Sequence, residues 1–189
     1  REGSAYDANV SAALFDFNSR KNIYNLNGKF ALSQLFHPGQ ADVGYSQNLG
    51  FSKFGGNLNF QVGEELADEK YDINDLGILF NNNYIDHYFW TAYRFLKPTS
   101  WYNRIQVNYN AYHSFLFMKM PEQKIAEKFQ TFSTNVNANI QMKNLWWAGM
   151  FVGYVPYGND FYEQRTAGYS FRTARKWQFN PWFETNSTK

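Results

Sequence analysis

Residues 129–154 most constrain the fold, because their side chains alternate between apolar and polar types. At every second position from 132 to 142 the residue is apolar or threonine, and the intervening residues 133–143 are almost all amides. Since successive side chains of a β-strand point to opposite faces, this pattern predicts a strand with one apolar face and one amide face. Lys143-Asn144 predicts a tight turn, and a return strand begins at Leu145.

The length of this strand favours a membrane-spanning wall. The alternation continues well beyond the roughly five or six residues of an average strand in a soluble protein. A strand that crosses a bilayer needs about 9 to 11 residues, with apolar side chains toward lipid and aromatic residues at the interfaces. The sequence therefore predicts an all-β, antiparallel, up-and-down transmembrane β-barrel whose amide face lines a wet interior.

The same alternation recurs along the chain and predicts about nine strands. An acidic, aperiodic stretch separates the fourth strand from the fifth, and the segment that begins near Pro121 is predicted as loop or as one helical turn. The predicted strands are 9–17, 24–33, 42–51, 57–62, 85–95, 104–117, 129–143, 145–154 and 176–184.

The lengths of the connections carry independent information. Short links follow the odd-numbered strands, at 18–22, 53–57, 97–103 and 143–144. Long links follow three of the even-numbered strands, at 63–83, 119–128 and 156–173. Short periplasmic turns that alternate with longer outer loops are typical of outer-membrane barrels, whereas a β-sandwich has no reason to sort its loops in this way.

The predicted strand count indicates part of a larger structure. Bacterial single-chain barrels have an even number of strands, and a small barrel fills its interior with packed side chains. An interior of Asn, Ser, Gly and Gln suits water better than packing. We therefore predict that residues 1–189 are a single barrel segment that is incomplete at both ends. The chain opens at Arg1 without a signal peptide, so either a leader is removed or the chain is a piece of a longer one.

Composition excludes several other classes of protein. With no cysteine, the chain has no disulfides, thiolate metal sites or cysteine nucleophiles. A net charge of +2 without a basic stripe argues against a nucleic-acid partner. No run of about 18 apolar residues is present for a helical membrane span. Aromatic residues form 21% of a chain with a mean hydropathy of -0.59, a combination that suits interfacial rings and a polar interior.

Several motifs resemble a family of large outer-membrane barrels of Bacteroidota, of unknown function, in which a family-9-like carbohydrate-binding module precedes the barrel. The motifs are Tyr71-Asp72-Ile73-Asn74-Asp75-Leu76-Gly77, Asn82-Asn83-Tyr84, Tyr93-Arg94-Phe95 before Lys97-Pro98, and Asn159-Asp160-Phe161-Tyr162-Glu163-Gln164-Arg165. TonB-dependent receptor barrels are similar at a greater distance. The resemblance implies an outer-membrane location and a barrel, but it implies no reaction. The chain contains neither a carbohydrate-module sequence nor a receptor plug.

The alternation assigns candidate residues to each surface. The predicted lumen-lining residues are Asn108, Asn110, Asn135, Asn137 and Asn139. The predicted lipid-facing residues are Tyr109, Phe117, Val136, Ala138 and Ile140. The aromatic residues next to short turns, which are predicted to form a periplasmic girdle, are Trp101, Tyr102, Trp146 and Trp147.

Two candidate sites have simpler alternative explanations. Asp72, Asn74 and Asp75 offer oxygens that could bind calcium, but their spacing is not that of an EF-hand, and a solvated acidic loop with Asx turns explains them equally. His87 and His113 would be needed by an outer-membrane hydrolase. Their neighbours Asp86 and Ser114 point to the opposite face of each strand, so the required pairs cannot form directly.

The leading functional prediction is a non-enzymatic outer-membrane barrel without a cofactor, acting as a pore, transporter or scaffold of an envelope complex. Its predicted partners are outer-membrane lipid and lipopolysaccharide, with other envelope proteins as a further possibility. Arg165, Arg172, Arg175 and Lys176 could contact lipopolysaccharide phosphates, or they could belong to a solvated loop. A soluble carbohydrate-binding β-sandwich, with the tryptophans as a stacking platform, is the alternative to the barrel.

Overall fold

The computed structural model describes residues 6–163, 166 and 168–186, and these residues form strands, turns and loops without any helix. The strands are β1 Asp7–Asn18, β2 Tyr24–His37, β3 Gln40–Lys53, β4 Leu58–Ala67, β5 Tyr84–Phe95, β6 Tyr102–Leu116, β7 Phe129–Met142, β8 Trp147–Val155, β9 Gly158–Asp160, β10 Phe171–Thr173 and β11 Lys176–Glu184.

Nine strands build one antiparallel sheet in the order β1-β2-β3-β4-β5-β6-β7-β8-β11. Each strand of this sheet pairs with its neighbour in sequence, apart from the short β9-β10 ribbon that is inserted between β8 and β11. The predicted all-β, antiparallel, up-and-down arrangement is confirmed. The segment after Pro121 makes a turn and not a helix, and no described helix is long and apolar enough to cross a membrane.

The sheet is open, with β1 and β11 at its two edges. Both edge strands are exposed along almost their entire length. Because every pairing between them is antiparallel, β1 and β11 run in the same direction. The described strands therefore cannot close on each other with an antiparallel pair.

The apolar face of the sheet is the more exposed one, whereas in a soluble protein the apolar face of a sheet is covered. Leu49 and Val136 are 50% and 44% exposed, and they belong to the face that the alternation predicts to be apolar. Other exposed side chains on this apolar face are Leu26, Phe30, Val43, Phe51, Leu58, Val62, Phe89, Tyr93, Tyr109, Met150 and Phe179. The register places them together, with Val136 opposite Tyr109 and Val152.

The amide face is the better buried of the two. Apart from Leu66, the buried non-glycine side chains of the sheet all lie on this face: Ala31, Ser33, Ser46, Ser52, Asn59, Ala67, Ala92, Asn108, Ser114 and Leu116. Asn59 is 0% exposed because its side chain bonds to the turn before β4, where its Oδ1 accepts from Gly55 N at 2.6 Å. Small and polar residues therefore occupy the position that a soluble domain reserves for large apolar ones.

Three differences from the predicted strands and links affect the faces and loops of the sheet. β4 continues through Glu64 and Glu65 to Ala67, whereas the sequence placed these acidic residues in a loop. They fit the strand because Glu64 Oε2 lies 3.3 Å from His87 Nε2 and Glu65 Oε1 accepts from Tyr84 Oη at 2.9 Å. The turn after β7 is longer than predicted, so β8 starts at Trp147. The long last connection contains the β9-β10 ribbon.

Candidate functional site

A connected row of amide side chains crosses β6 and β7 on the amide face. Asn108 Nδ2 donates to Asn137 Oδ1 at 2.7 Å, and Asn110 Nδ2 donates to Asn135 Oδ1 at 2.8 Å. Gln106 Nε2 donates to Asn108 Oδ1 at 2.7 Å, which extends the row along β6. The two residues of each Asn-Asn pair lie directly opposite each other on β6 and β7, so strand pairing alone brings these amides together. The result is a neutral surface with both donors and acceptors.

Large rings on the same face lie across glycines of the neighbouring strand. Tyr88 covers Gly63, where a Cβ atom would come within 2.1 Å of the ring. Trp182 covers Gly149 in the same way, at 2.3 Å. These glycines leave room for a ring to lie flat against the sheet, so aromatic side chains contribute to the amide face without projecting far from it.

The β4–β5 connection (residues 68–83, here the inward loop) folds back onto the amide face. Tyr71 is 5% exposed and packs against Ala31 and Ala67. Asp72 N donates to Ser33 Oγ at 3.0 Å. Contact is so close at Gly44 that a Cβ atom there would lie 2.2 Å from backbone atoms of the loop. Small residues on β2 and β3 therefore leave the space in which the inward loop packs against the sheet.

Two residues, Asp68 and Asn83, fix the ends of the inward loop with two hydrogen bonds each. At its start, Asp68 N donates to Tyr45 O at 3.0 Å and Asp68 Oδ1 accepts from Tyr45 N at 3.1 Å. At its end, Asn83 has a φ of 58°, in the left-handed region that asparagine tolerates better than most residues. Its side chain bonds both backbone groups of Met118, at 2.7 and 3.1 Å. The inward loop is thereby joined to the β6–β7 connection.

The β8–β11 connection meets the inward loop over the same face. Tyr162 Oη donates to Asn82 O at 2.7 Å, and Phe161 is 1% exposed. Asn159 Nδ2 donates to Phe129 O at 2.9 Å, which holds this connection to β7. Burial raises the pKa of Tyr162 to about 12, so this phenol keeps its proton and its donor role at neutral pH.

The comparison with protein families gives one match. The model of the family described as a domain of unknown function, DUF5916, matches residues 1–189. The chain belongs to the DUF5916 family. No curated protein and no solved structure matches it.

In this DUF5916 chain, two segments far apart in the sequence meet at one place. One is the inward loop, which contains the Tyr71–Gly77 motif, and the other follows Asn159. Sequence analysis predicted both segments as outer loops and did not predict that they fold onto the amide face. The available signal was the concentration of small residues Ala31, Ser33 and Gly44 at the ends of β2 and β3 nearest that loop. Gln164 and Arg165 of the second motif lie outside the described residues.

The calcium candidates use their oxygens within the loop. Asp72 Oδ1 accepts from Asn74 N and from Asn74 Nδ2, both at 2.8 Å, and Asn74 Oδ1 accepts from Leu79 N at 2.9 Å. Asp75 Oδ1 accepts from Tyr6 Oη at 3.1 Å. The bond from Asn74 N to Asp72 has the spacing of an Asx turn, and the other contacts also engage these oxygens with protein donors. The described part of the chain contains no cluster of three His, Asp or Glu residues arranged to hold a metal ion.

His87 and His113 lie on the apolar face and not beside the groups that a hydrolase would need. His87 is directly opposite His113, with ring centroids 6.4 Å apart, and its Nε2 faces Glu64. Asp86, on the amide face, accepts from Tyr112 Oη at 2.6 Å. The structure therefore brings together a Glu-His-His row and does not bring a Ser-His or Asp-His pair into contact within these strands.

The predicted lipid-facing and lumen-lining residues lie on opposite faces wherever they belong to a strand. Tyr109, Val136, Ala138 and Ile140 share the apolar face, and the five asparagines, including Asn139 opposite Gln106, share the amide face. Phe117 lies beyond the end of β6 and contacts Tyr45 edge-on, with ring centroids 6.2 Å apart. The strand stops at Leu116, so the alternation does not apply to Phe117.

The predicted girdle is divided between the two faces. Trp101 is 60% exposed and lies edge-on to Tyr102 at 5.0 Å, and Trp146 contacts Phe183 of the apolar face at 5.3 Å. Trp147 pairs with Gln141 on the amide face, where the Arg104 guanidinium lies 4.6 Å from its ring. Trp147 is the first residue of β8, and the alternation along that strand places it on the amide face.

The basic residues after β9 are partly engaged with aromatic rings. The guanidinium carbons of Arg172 and Arg175 lie 4.8 and 5.9 Å from the ring of Tyr157. Lys176 is the first residue of β11. Arg165 lies outside the described residues. The contacts with Tyr157 hold two of the positive charges near the end of the sheet where the long connections meet.

The contact between the two loops should weaken at high pH. The pKa of Tyr162 is raised from 10.0 to about 12, so its stabilising contribution is complete below pH 10 and is lost as the pH rises through about 12. Ionisation removes the proton that Tyr162 donates to Asn82 O. We expect the tyrosinate absorbance titration to contain a late-titrating group that is absent from Tyr162→Phe. If wild type and variant titrate identically, Tyr162 is not buried as described.

Proposed function

We propose that this chain forms part of the wall of an outer-membrane β-barrel, with its apolar face in contact with lipid and its amide face lining a wet interior. One observation carries the proposal: large apolar side chains are exposed on one face across the whole sheet, while small and polar ones are buried on the other. Contiguous exposed apolar surface beyond a few hundred Å² is rare on soluble monomers and marks a surface that contacts a membrane or a protein.

The single layer of the fold supports lipid as that contact. A β-sandwich covers the apolar face of each sheet with a second sheet, about 10 Å away. Among the described residues, the only second sheet is the β9-β10 ribbon. This ribbon contacts β7 and does not form a layer that covers the apolar face. The strand lengths, from 9 to 15 residues in the nine-stranded sheet, suit a bilayer crossing. The carbohydrate-binding sandwich is accordingly the weaker alternative.

The free edges support a barrel that is larger than this segment. A transmembrane sheet must have no open edge, because unpaired backbone groups in hydrocarbon cost several kcal/mol each. β1 and β11 run in the same direction, so an antiparallel closure needs an odd number of further strands between them. We propose that these strands come from outside residues 1–189 and make the total even, as in most bacterial barrels.

The interior that follows from this arrangement suits hydrophilic solutes or protein partners. Its amide row is neutral and offers donors and acceptors, and the inward loop together with the Asn159–Glu163 segment narrows one end. We propose a non-enzymatic role as a pore, transporter or envelope scaffold. The apolar face and the girdle residues Trp101, Tyr102 and Trp146 would contact outer-membrane lipid, and the loop end would lie near lipopolysaccharide.

Fractionation of the full-length protein in its native bacterium tests this proposal. We expect it in the outer-membrane fraction, with an electrophoretic mobility that changes only after boiling, because a closed barrel resists detergent. A known outer-membrane barrel and a soluble periplasmic protein from the same cells serve as the two controls. Recovery in the soluble fraction, with a mobility that does not change on heating, would overturn the barrel proposal. It would favour the soluble carbohydrate-binding module.

A further inference from the structure

The inner cavity lies where the two loops meet the amide face, and it has a volume of about 330 Å³. Its lining includes four aromatic rings, those of Phe80, Tyr84, Tyr112 and Tyr162, together with the carboxylate of Asp86. Phe80 is 89% exposed, so its ring is available to a ligand. No Lys, Arg or His is among the described residues that line this cavity.

Asp86 lines the inner cavity, and a second carboxylate, that of Glu65, lies behind it on the neighbouring strand without lining the cavity. Glu65 and Asp86 are directly opposite in the pairing of β4 with β5, and both face the amide side. Each carboxylate accepts from a tyrosine hydroxyl, Glu65 from Tyr84 and Asp86 from Tyr112. Like charges directly opposite on a sheet repel each other. Among the described ion pairs, none involves either carboxylate.

One oxygen of this pair is unsatisfied. Asp86 Oδ1 is buried and accepts no hydrogen bond, while Oδ2 carries the whole contact with Tyr112. Asp86 as a whole is half-buried, but an inaccessible carboxylate oxygen without a donor is unfavourable, and a nearby positive charge would relieve it. The unsatisfied oxygen is a separate observation from the aromatic lining, and both favour a cationic ligand.

We propose that the inner cavity binds the ammonium group of a small organic amine. The carboxylates of Asp86 and Glu65 supply the attractive field, and the rings offer their negative faces to the cation. A neutral polyol of the same size would gain neither interaction. This site is separate from the amide row and does not depend on whether the sheet closes into a barrel.

The test is calorimetric titration of the purified full-length protein, in the detergent or buffer that keeps it folded, with 1,4-diaminobutane and with its neutral isostere 1,4-butanediol. We expect the diamine to bind and the diol to give no measurable heat. Asp86→Asn keeps an acceptor for Tyr112 but removes the charge, so it should weaken diamine binding at least tenfold. Asp42→Asn is the matched control, because Asp42 is also a carboxylate of the amide face but does not line the inner cavity, and it should bind as wild type.

Phe80→Ala provides a test that does not depend on the acidic pair. Because Phe80 is almost fully exposed, its removal should leave the fold intact, and loss of the ring should weaken binding about 2- to 5-fold. If Asp86→Asn fails to fold, the diamine affinity of Phe80→Ala decides whether the amine binds in the inner cavity.

Three results would overturn the proposal. Binding of the diol as tight as that of the diamine would make the cavity a polyol site. An equal loss in Asp86→Asn and Asp42→Asn would indicate only a general attraction of cations to the amide face. Absence of diamine binding to the wild-type protein would remove the site. None of these results bears on membrane insertion, which the fractionation experiment decides separately.

Discussion

Val136→Arg should prevent stable insertion of the protein into a membrane, while Asn137→Arg at the same depth should not. Val136 lies in the middle of β7, it is 44% exposed, and its cross-strand neighbours on the apolar face are Tyr109 and Val152. Arginine at the lipid face near the bilayer midplane costs about 2–4 kcal/mol. That is a large part of the roughly 5–15 kcal/mol by which an ordinary domain is stable.

Asn137 makes the comparison informative because it is the adjacent residue on the other face. Its substitution loses the hydrogen bonds with Asn108 and Asn135, about 1 kcal/mol each, but in the proposed barrel the new charge faces the wet interior. The measurement is the fraction of each variant that reaches the outer membrane as a heat-modifiable band, together with its free energy of unfolding in lipid vesicles. Equal losses, or a greater loss for Asn137→Arg, would show that the apolar face is not the lipid face.

Gly44→Val should detach the inward loop while leaving the sheet intact. A Cβ atom at Gly44 would lie 2.2 Å from Lys70 C and Tyr71 N, and these are backbone atoms that cannot move aside without the loop. Valine is well suited to a strand, so the sheet itself should not suffer. Lifting the loop exposes Tyr71, whose burial is worth roughly 1.5–3 kcal/mol by analogy with other large side chains.

Hydrogen exchange reports this change directly. In the wild type, the amide of Asp72 donates to Ser33 Oγ, so its exchange should accelerate at least tenfold in Gly44→Val, while amides of β6 and β7 keep their protection. Gly77→Ala is the matched control in the same loop, because a Cβ atom added at Gly77 would have no neighbouring atom within 4 Å. Unchanged protection of the Asp72 amide in Gly44→Val would show that the inward loop does not pack against β3 at Gly44. If the interior conducts ions, the variant should also show a larger single-channel conductance.

The features that the sequence predicted correctly are those that follow from the local geometry of a strand. Side chains alternate at every residue, so a face can be assigned wherever the strand is continuous, as it is around Val136 and Asn137. The short links predicted at 18–22, 53–57 and 97–103 follow from the turn-forming residues there, and the sorting of short and long connections follows from them. The antiparallel, up-and-down order then needs no information beyond the chain itself.

The errors lie where the alternation ends. The acidic residues Glu64 and Glu65 look like a loop, yet partners on β5 keep them in a strand, His87 on one face and Tyr84 on the other. Phe117 lies one residue past the end of β6 and contacts Tyr45 of the apolar face, and the turn before Trp147 is longer than predicted. Where a strand ends, the alternation no longer decides which groups a side chain contacts.

By itself, the sequence determined that this protein is built from long antiparallel strands, each with one apolar and one amide face. Only the tertiary structure decided that the amide face is the buried one and that the inward loop and the Tyr162 segment meet above it. The physical reason is the range of the interactions. Alternation is set within each residue's own backbone, whereas the contacts of Asp72 with Ser33 and of Tyr162 with Asn82 join segments that are remote in the chain, and they exist only once the sheet has brought those segments together.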